Sequence, residues 1–238
     1  MRSLLFVTLL AVGACAEAGK ASFGGRPDGG TVTVVDSDMH HQDPDAYVMP
    51  IDAPPGMTTK TLDENSSDIN VQGTAPACGT STATDVNNYY RVFDLPTFGI
   101  NTDFHITHVD FQVDLCTGET VTVNVGVYNG TPGTSISTGS MMQVASNTTV
   151  TVPSTTTGAT VPVAFTNATI PAGKKLYVEI KSPAGGKFYI GANTAGESGA
   201  GYIGATKCNL TVATPQDISS VSADYPVVNI LMTVTGTY

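Results

Sequence analysis

The sequence predicts an all-β fold, an antiparallel β-sandwich of about eight to nine strands with a jelly-roll-like arrangement. Segments rich in Val, Ile, Thr and aromatic residues alternate along the chain with clusters of Gly, Pro, Asn and Ser. No segment shows the period of a helix. The pattern occupies residues 76–238, a length that can bury about 70% of its unfolded surface in one domain.

Eight segments carry the predicted strands. In residues 120–128 the alternate valines point to one side, whereas Thr122, Asn124 and Gly126 point to the other. This period of two is typical of a half-buried strand. The predicted strands, in chain order, are residues 90–95, 104–115, 120–129, 142–152, 160–166, 174–181, 187–192 and 227–235.

Residues 1–14 are predicted to be a signal peptide. A single basic residue, Arg2, precedes a nine-residue apolar run, and the small residues Gly13 and Ala14 follow it. Such a run is too short to cross a bilayer, which requires about 20 residues in a helix. An ordinary secretory signal that happens to contain a cysteine remains the alternative.

The four residues from Val12 to Cys15 resemble a bacterial lipobox. The resemblance implies that the Cys15 thiol carries a diacylglyceryl group and begins the mature chain, so that a lipid provides the membrane anchor. Ala16, rather than Asp, resembles lipoproteins that are exported onward. We therefore expect the protein at the bacterial outer membrane or cell surface, held there by its lipid.

Residues 15–75 are predicted to be the lipidated cysteine and a disordered acidic linker. The stretch from residue 16 has ten acidic and three basic side chains and few clustered apolar residues, so it cannot bury enough surface to fold. As a flexible coil it would span roughly 45 Å. The net charge of −10 for the whole chain argues against nucleic acid as a partner.

Several segments of residues 76–238 resemble an accessory β-sandwich domain of secreted bacterial proteases and surface proteins. The segments are 89–95 (YYRVFDL), 103–109 (DFHITHV), 176–180 (LYVEI), 182–193 (SPAGGKFYIGAN) and 230–236 (ILMTVTG). The resemblance implies a sandwich that usually accompanies larger enzymes or surface chains and that has no settled activity. No protease function transfers to this chain from the resemblance.

Three cysteines remain once Cys15 is assigned to the lipid: Cys78, Cys116 and Cys208. In an oxidising compartment we expect one disulfide and one free thiol, and the residues alone leave three pairings open. The resemblance favours Cys78 with Cys208, because cysteines recur near the start of that domain and in its late loop. No cofactor is predicted.

Two surfaces are candidates for binding. His108 and Asp110 share one face of a predicted strand with Gln112 and Asp114, and this polar stripe would suit a sugar or a cation. The alternative is an ordinary solvent-facing side. The opposite face is expected to hold His105, Thr107, Val109, Phe111, Val113 and Leu115.

The second candidate is the glycine-rich segment 193–209, predicted to be a loop. Its glycines would let a ligand approach the backbone, Tyr202 would offer a flat ring, and Asn193 lies at its start. The alternative is a connection with no role beyond joining two strands.

Catalytic residues and metal ligands are not predicted. The sequence contains no G-x-S-x-G elbow, and neither His105 nor His108 has a recognisable nucleophile partner. His40 and His41 stand near Asp43 and Asp45, but we interpret this group as solvated linker.

Two hypotheses of function follow from this sequence. The first is a non-catalytic surface lipoprotein that displays the sandwich for adhesion or ligand binding, with an envelope protein or a glycan as partner. The alternative is a lipid-anchored hydrolase with an unrecognised site. A pocket of converging polar groups would favour the enzyme, and a shallow face would favour the binder.

Overall fold

The structure is a computed structural model that describes residues 56–145, 148–154, 158–221 and 227–238. The signal peptide, Cys15, and linker residues 16–55 with the His40 group lie outside the described residues. The strands, in order, are β1 Thr59–Leu62, β2 Asn87–Asp94, β3 Phe104–Cys116, β4 Thr120–Tyr128, β5 Met141–Gln143, β6 Thr148–Thr151, β7 Ala159–Ile170, β8 Lys175–Ser182, β9 Phe188–Ile190, β10 Ala192–Asn193, β11 Gly201–Gly204, β12 Gln216–Asp217, β13 Asn229–Ile230 and β14 Met232–Thr237.

Two antiparallel sheets form the body of the protein. The five-stranded sheet has the order β1-β14-β3-β7, with β9 pairing with one end of β3. The seven-stranded sheet has the order β12-β11-β2-β8-β4-β5, with β6 also pairing with β4. The remaining described elements are a short β10–β13 ladder, the four-residue helix Ile218–Val221 and three 3-10 helices, Leu95–Phe98, Thr138–Ser140 and Thr206–Cys208. The predicted antiparallel β-sandwich is therefore confirmed.

The core lies between the inner faces of the two sheets. In β4 the four valines 121, 123, 125 and 127 are at most 1% exposed, which confirms the alternation predicted for this strand. They join one hydrophobic cluster with side chains of the other sheet, including Val109, Phe111 and Val234. Burial of apolar area on both inner faces is the main force that holds such a sandwich together.

The folded unit begins before residue 76, so the prediction of a linker extending to residue 75 is wrong for its last part. Strand β1 pairs with β14, where Leu62 lies opposite Val234 and is 0% exposed. Residues 63–75, which we call the strap, then run along the 192–198 segment. The Ser66 amide donates to the Gly196 carbonyl (3.0 Å), and the Val71 amide donates to the Ala192 carbonyl (2.8 Å).

Three predicted strands are interrupted in the structure. The predicted strand 142–152 is divided into β5 and β6, and 187–192 is divided into β9 and β10 at Gly191. A Cβ at Gly191 would lie 2.5 Å from the Gln112 Cβ, so glycine permits this close approach. The predicted strand 227–235 becomes β13 and β14, which belong to different sheets.

The cysteine pairing favoured by the family resemblance is confirmed. Cys78 and Cys208 form a disulfide with a Cα–Cα distance of 5.9 Å, which joins the segment before β2 to the turn after β11. Cys116 is a free and buried thiol at the end of β3. Its sulfur receives the amide hydrogens of Gly118 (3.4 Å) and Glu119 (3.3 Å) in the turn that follows.

Candidate functional site

The predicted polar stripe on β3 is present in part. His108, Asp110 and Gln112 are half-buried on the outer face of the five-stranded sheet, and we call these three residues the polar stripe. Asp114 does not belong to it, because the residue is 5% exposed and its carboxylate accepts the amide hydrogen of Gly73 in the strap at 3.1 Å.

A bulge in β3 explains why the opposite face differs from the prediction. The register with β7 shifts between Ile106 and His108, and the extra residue reverses the alternation on that side. Phe104 and Ile106 therefore point into the core, whereas His105 is half-buried and its Nδ1 lies 3.0 Å from Thr169 Oγ1. A second shift, between Val113 and Leu115, likewise places the buried Cys116 rather than Leu115 inside.

His108 takes part in a short chain of polar contacts. Its Nε2 lies 3.1 Å from Asp110 Oδ2, and its Nδ1 lies 3.2 Å from Thr107 Oγ1. The sequence prediction that neither histidine has a nucleophile partner thus missed Thr107, which the bulge brings beside the ring. However, the Thr107 hydroxyl donates its hydrogen to the Thr235 carbonyl at 3.0 Å. Thr107 is therefore oriented as a structural donor to β14.

A cavity of about 170 Å³ adjoins the polar stripe at Asp110. Asp68 of the strap and Thr233 of β14 line it together with Gln112. Partial burial and the neighbouring Asp63 raise the pKa of Asp68 above its ordinary value. The cavity is smaller than the roughly 300–1,000 Å³ of small-molecule sites, so it suits one protruding group of a larger partner better than an enclosed substrate.

The second predicted surface is not an open loop. Residues 201–204 form β11, in which Tyr202 pairs with Tyr90 of β2. The Tyr202 ring is 2% exposed, and burial raises the pKa of its hydroxyl to about 12. The prediction of an accessible flat ring is therefore wrong. Tyr202 packs in a second, smaller hydrophobic cluster on the outer face of the seven-stranded sheet. The other members of this cluster are Tyr90, Val92, Tyr128, Ile136 and Tyr177.

Asn193 is also engaged inside the fold. Its side chain is 1% exposed, and its Nδ2 donates to the Ser67 carbonyl (2.6 Å) and the Ile69 carbonyl (3.2 Å) of the strap. The glycines of this segment serve internal packing, since a Cβ at Gly199 would lie 2.3 Å from the Glu64 carboxyl carbon. Asn193 thus fastens the strap to the sandwich.

The structure also contains a buried ionic cluster that the sequence analysis missed. Arg91 is 0% exposed, and its Nη2 donates to Glu197 Oε2 (2.7 Å) and to the Ile230 carbonyl (2.8 Å). Glu64 Oε2 lies 3.7 Å from Arg91 Nη1 and has no hydrogen-bond partner among the described residues. Burial raises the pKa of Glu64 to about 7 and also raises the pKa of Glu197.

A second polar network lies on the outer face of the seven-stranded sheet. Glu179 Oε1 accepts hydrogen bonds from the Tyr90 hydroxyl (2.7 Å) and Asn88 Nδ2 (3.0 Å), and its Oε2 accepts one from Asn124 Nδ2 (2.7 Å). We call these four residues the Glu179 network. The alternation of each strand predicts outward-facing polar residues, but only the pairing of β2, β8 and β4 brings these together.

The described residues contain neither a membrane-spanning helix nor a cluster of metal ligands. No helix among the described residues is long and apolar enough to span a bilayer. Among the same residues, no group of three or more His, Cys, Asp or Glu side chains is arranged to hold a metal ion.

Comparisons with known proteins place few constraints on this chain. No protein-family model matches it, and no curated protein matches it. One solved structure with a likeness contains the cysteine protease and lectin-like domains of Cwp84, a surface layer associated protein of Clostridium difficile. It is 16% identical with a TM-score of 0.45, and the match covers 65% of this chain and 32% of that chain.

A second likeness is to the clostridial cysteine protease Cwp84 after propeptide cleavage. Here the identity is 14% and the TM-score 0.47, and the match covers 75% of this chain and 40% of that chain. This chain therefore spans less than half of either protein. The assignment of the fold rests on the strands and their pairing described above.

Proposed function

We propose that this chain is a non-catalytic surface lipoprotein whose β-sandwich binds a component of the cell envelope, either a protein or a glycan. A lipid on Cys15 would hold it at the outer membrane or cell surface. The anchor is supported by the apolar run before Cys15 and by the small residues Gly13 and Ala14. The acidic stretch that follows would keep the sandwich clear of the membrane.

One observation carries the binding proposal. The His108 and Asp110 side chains are 38% and 23% exposed, and His108 Nε2 lies 3.1 Å from Asp110 Oδ2 beside the cavity of about 170 Å³. A partly exposed donor and acceptor on a rigid strand can contact a partner without rearrangement of the backbone. The net charge of −10 argues against nucleic acid as the partner.

The binding test measures retention of the purified Cys15→Ser chain on its own isolated cell envelope, because this variant lacks the lipid that would hold the protein there by itself. The following substitutions are all made in this background. We expect replacement of both His108 and Asp110 by Ala to reduce retention, while Glu119→Ala, which removes an acid from the β3–β4 turn, leaves it unchanged. Equal retention of all three proteins would contradict the proposal that the polar stripe binds.

A hydrolase remains the second candidate because of Thr107, His108 and Asp110, which place a hydroxyl, an imidazole and a carboxylate in contact. The hydrogen bond from Thr107 to the Thr235 carbonyl opposes this role, since the hydroxyl hydrogen points away from the histidine. We expect no turnover of p-nitrophenyl acetate above the buffer rate. Turnover that is lost in Thr107→Ala would favour the hydrolase.

A further inference from the structure

The Glu179 network presents an arrangement of acceptors on the outer face of the seven-stranded sheet. In the strand register Tyr90 of β2 and Asn124 of β4 lie on either side of Glu179 of β8. Asn88 lies one pleat along β2 on the same face. The four residues therefore belong to three neighbouring strands of a rigid sheet.

The carboxylate of Glu179 is held in one orientation by three donors. Two of them reach Oε1 and the third reaches Oε2, at 2.7–3.0 Å. Burial and the nearby Glu179 charge raise the pKa of Tyr90 above its ordinary value, so its hydroxyl keeps its hydrogen. Glu179 itself is only half-buried and can accept further hydrogen bonds from outside.

Both asparagine amides turn their Nδ2 atoms toward Glu179, and this orientation leaves their oxygens without partners. Asn88 Oδ1 and Asn124 Oδ1 have no hydrogen bond among the described residues, although the side chains are 3% and 9% exposed. Both oxygens are enclosed in the fold and out of reach of a ligand, so the asparagines act on a ligand only through the orientation that they give Glu179. The half-buried Glu179 carboxylate is the acceptor of the network that a ligand can reach.

A ligand for this surface must supply hydrogen-bond donors. Lys175 and Lys181 project from the same face of β8 on either side of Glu179, and their positive charges oppose a cationic ligand. A neutral molecule with several hydroxyl groups meets both conditions.

We propose that the Glu179 network is a binding site for a neutral saccharide, whose hydroxyls donate to the Glu179 carboxylate. The inference rests on the proposed function of the sandwich as a binding module. It places a site on the opposite sheet from the polar stripe, so the two sites can fail or succeed separately.

The test uses NMR spectroscopy of the full chain in a detergent without a sugar headgroup. The probes are D-glucose, D-mannose and N-acetyl-D-glucosamine, with ethylammonium as the cationic probe. We expect at least one sugar to shift the backbone amide signals of Tyr90, Asn124 and Glu179, and ethylammonium to leave them unchanged. This mapping on the wild-type protein does not depend on the folding of any variant.

Glu179→Gln removes the charge while it keeps the shape, and we expect it to weaken sugar binding by about tenfold or more, since hydrogen bonds to charged groups are the stronger ones. Glu119→Gln makes the same chemical change in a distant turn and should bind as the wild type does.

Three results would overturn the saccharide site. Shifts with ethylammonium and not with the sugars would show a cation site, and no shift with any probe would show that the network only holds the three strands together. Shifts confined to His108 and Asp110 would reject this site while leaving the binding-module proposal intact. If the variant without His108 and Asp110 loses envelope retention but still binds sugar at Glu179, the polar stripe and the Glu179 network are two independent binding sites.

Discussion

Glu64 and Arg91 show how single residues control the charge inside the sandwich. Arg91 is fully buried and makes its short contact with Glu197, so one positive charge is already balanced. Glu64 brings a second carboxylate into the same cluster, with Asp63 and Asp94 as further acidic neighbours. Because burial outweighs the attraction of Arg91, the Glu64 carboxyl binds a proton more tightly than it does in water.

Stability should therefore fall as pH rises. The pKa of Glu64 is about 7 when folded, against 4.5 for an ordinary glutamate, so the stabilisation is complete below pH 4.5 and is lost as pH rises through 7. This change in the pKa of Glu64 corresponds to roughly 3 kcal/mol, and the raised pKa of Glu197 acts in the same direction.

Urea unfolding at pH 4.5 and pH 8 measures this difference. We expect Glu64→Gln, which is neutral at both values, to reduce the loss of stability, whereas Glu119→Gln should show the wild-type loss. An identical loss in Glu64→Gln and the wild type would contradict the assignment of the proton to Glu64.

Strand β1 shows at the level of an element why the sequence predicts some of the fold and misses the rest. The β4 valines are readable because alternation is a local signal. The four residues of β1 stand in an acidic stretch, and their partner β14 is far away along the chain, with Thr61 opposite Thr235, so no local pattern reveals the pair.

Local pattern and long-range pairing also decide which site residues the sequence predicts correctly. The polar alternation of β3 indicated His108 and Asp110 correctly as neighbours on one face, but the bulge that places Thr107 beside His108 depends on pairing with β7. The glycines at 199, 201 and 204 favour a loop over a strand in the sequence. The sequence therefore does not predict β11 or the burial of Tyr202 against β2.

A mutation in β1 tests whether this strand belongs to the folded unit. Leu62 is 0% exposed in the core, so Leu62→Ala should lower the free energy of unfolding by about 2–5 kcal/mol. Ile69→Ala is the control, because Ile69 is 73% exposed on the strap. Urea unfolding curves that agree for the two variants would show that β1 is not docked.

The Cys78–Cys208 bridge acts on the molecule as a whole, because it links residues 130 positions apart. In the chain-entropy model, closing a loop of that length stabilises the fold by about 5 kcal/mol. We expect the double variant Cys78→Ser with Cys208→Ser to lose a stability of that order in urea unfolding. Placing both proteins in a Cys116→Ala background prevents thiol exchange, and a loss under 1 kcal/mol would reject the entropic account.

The folded part of the molecule should resist proteolysis, and the resistant fragment should begin at a defined residue. The composition of residues 16–55 predicts an exposed chain, whereas β1 and the strap are hydrogen-bonded to the sandwich. Brief digestion with proteinase K should leave a core that begins near Met57, as read by mass spectrometry. A core that begins near Cys78 would mean that β1 and the strap are removed without loss of the fold.

Display of the sandwich at the cell surface by a lipid on Cys15 is the central claim, and treatment of intact cells with protease tests it most directly. For the wild type, the protein should partition into detergent, stay with the cells, and release the sandwich when the acidic stretch is cut. The Cys15→Ser variant has no thiol for the lipid and should leave the membrane fraction. If Cys15→Ser stays in the membrane as fully as the wild type, or if the wild-type sandwich is protected on intact cells, the claim is wrong.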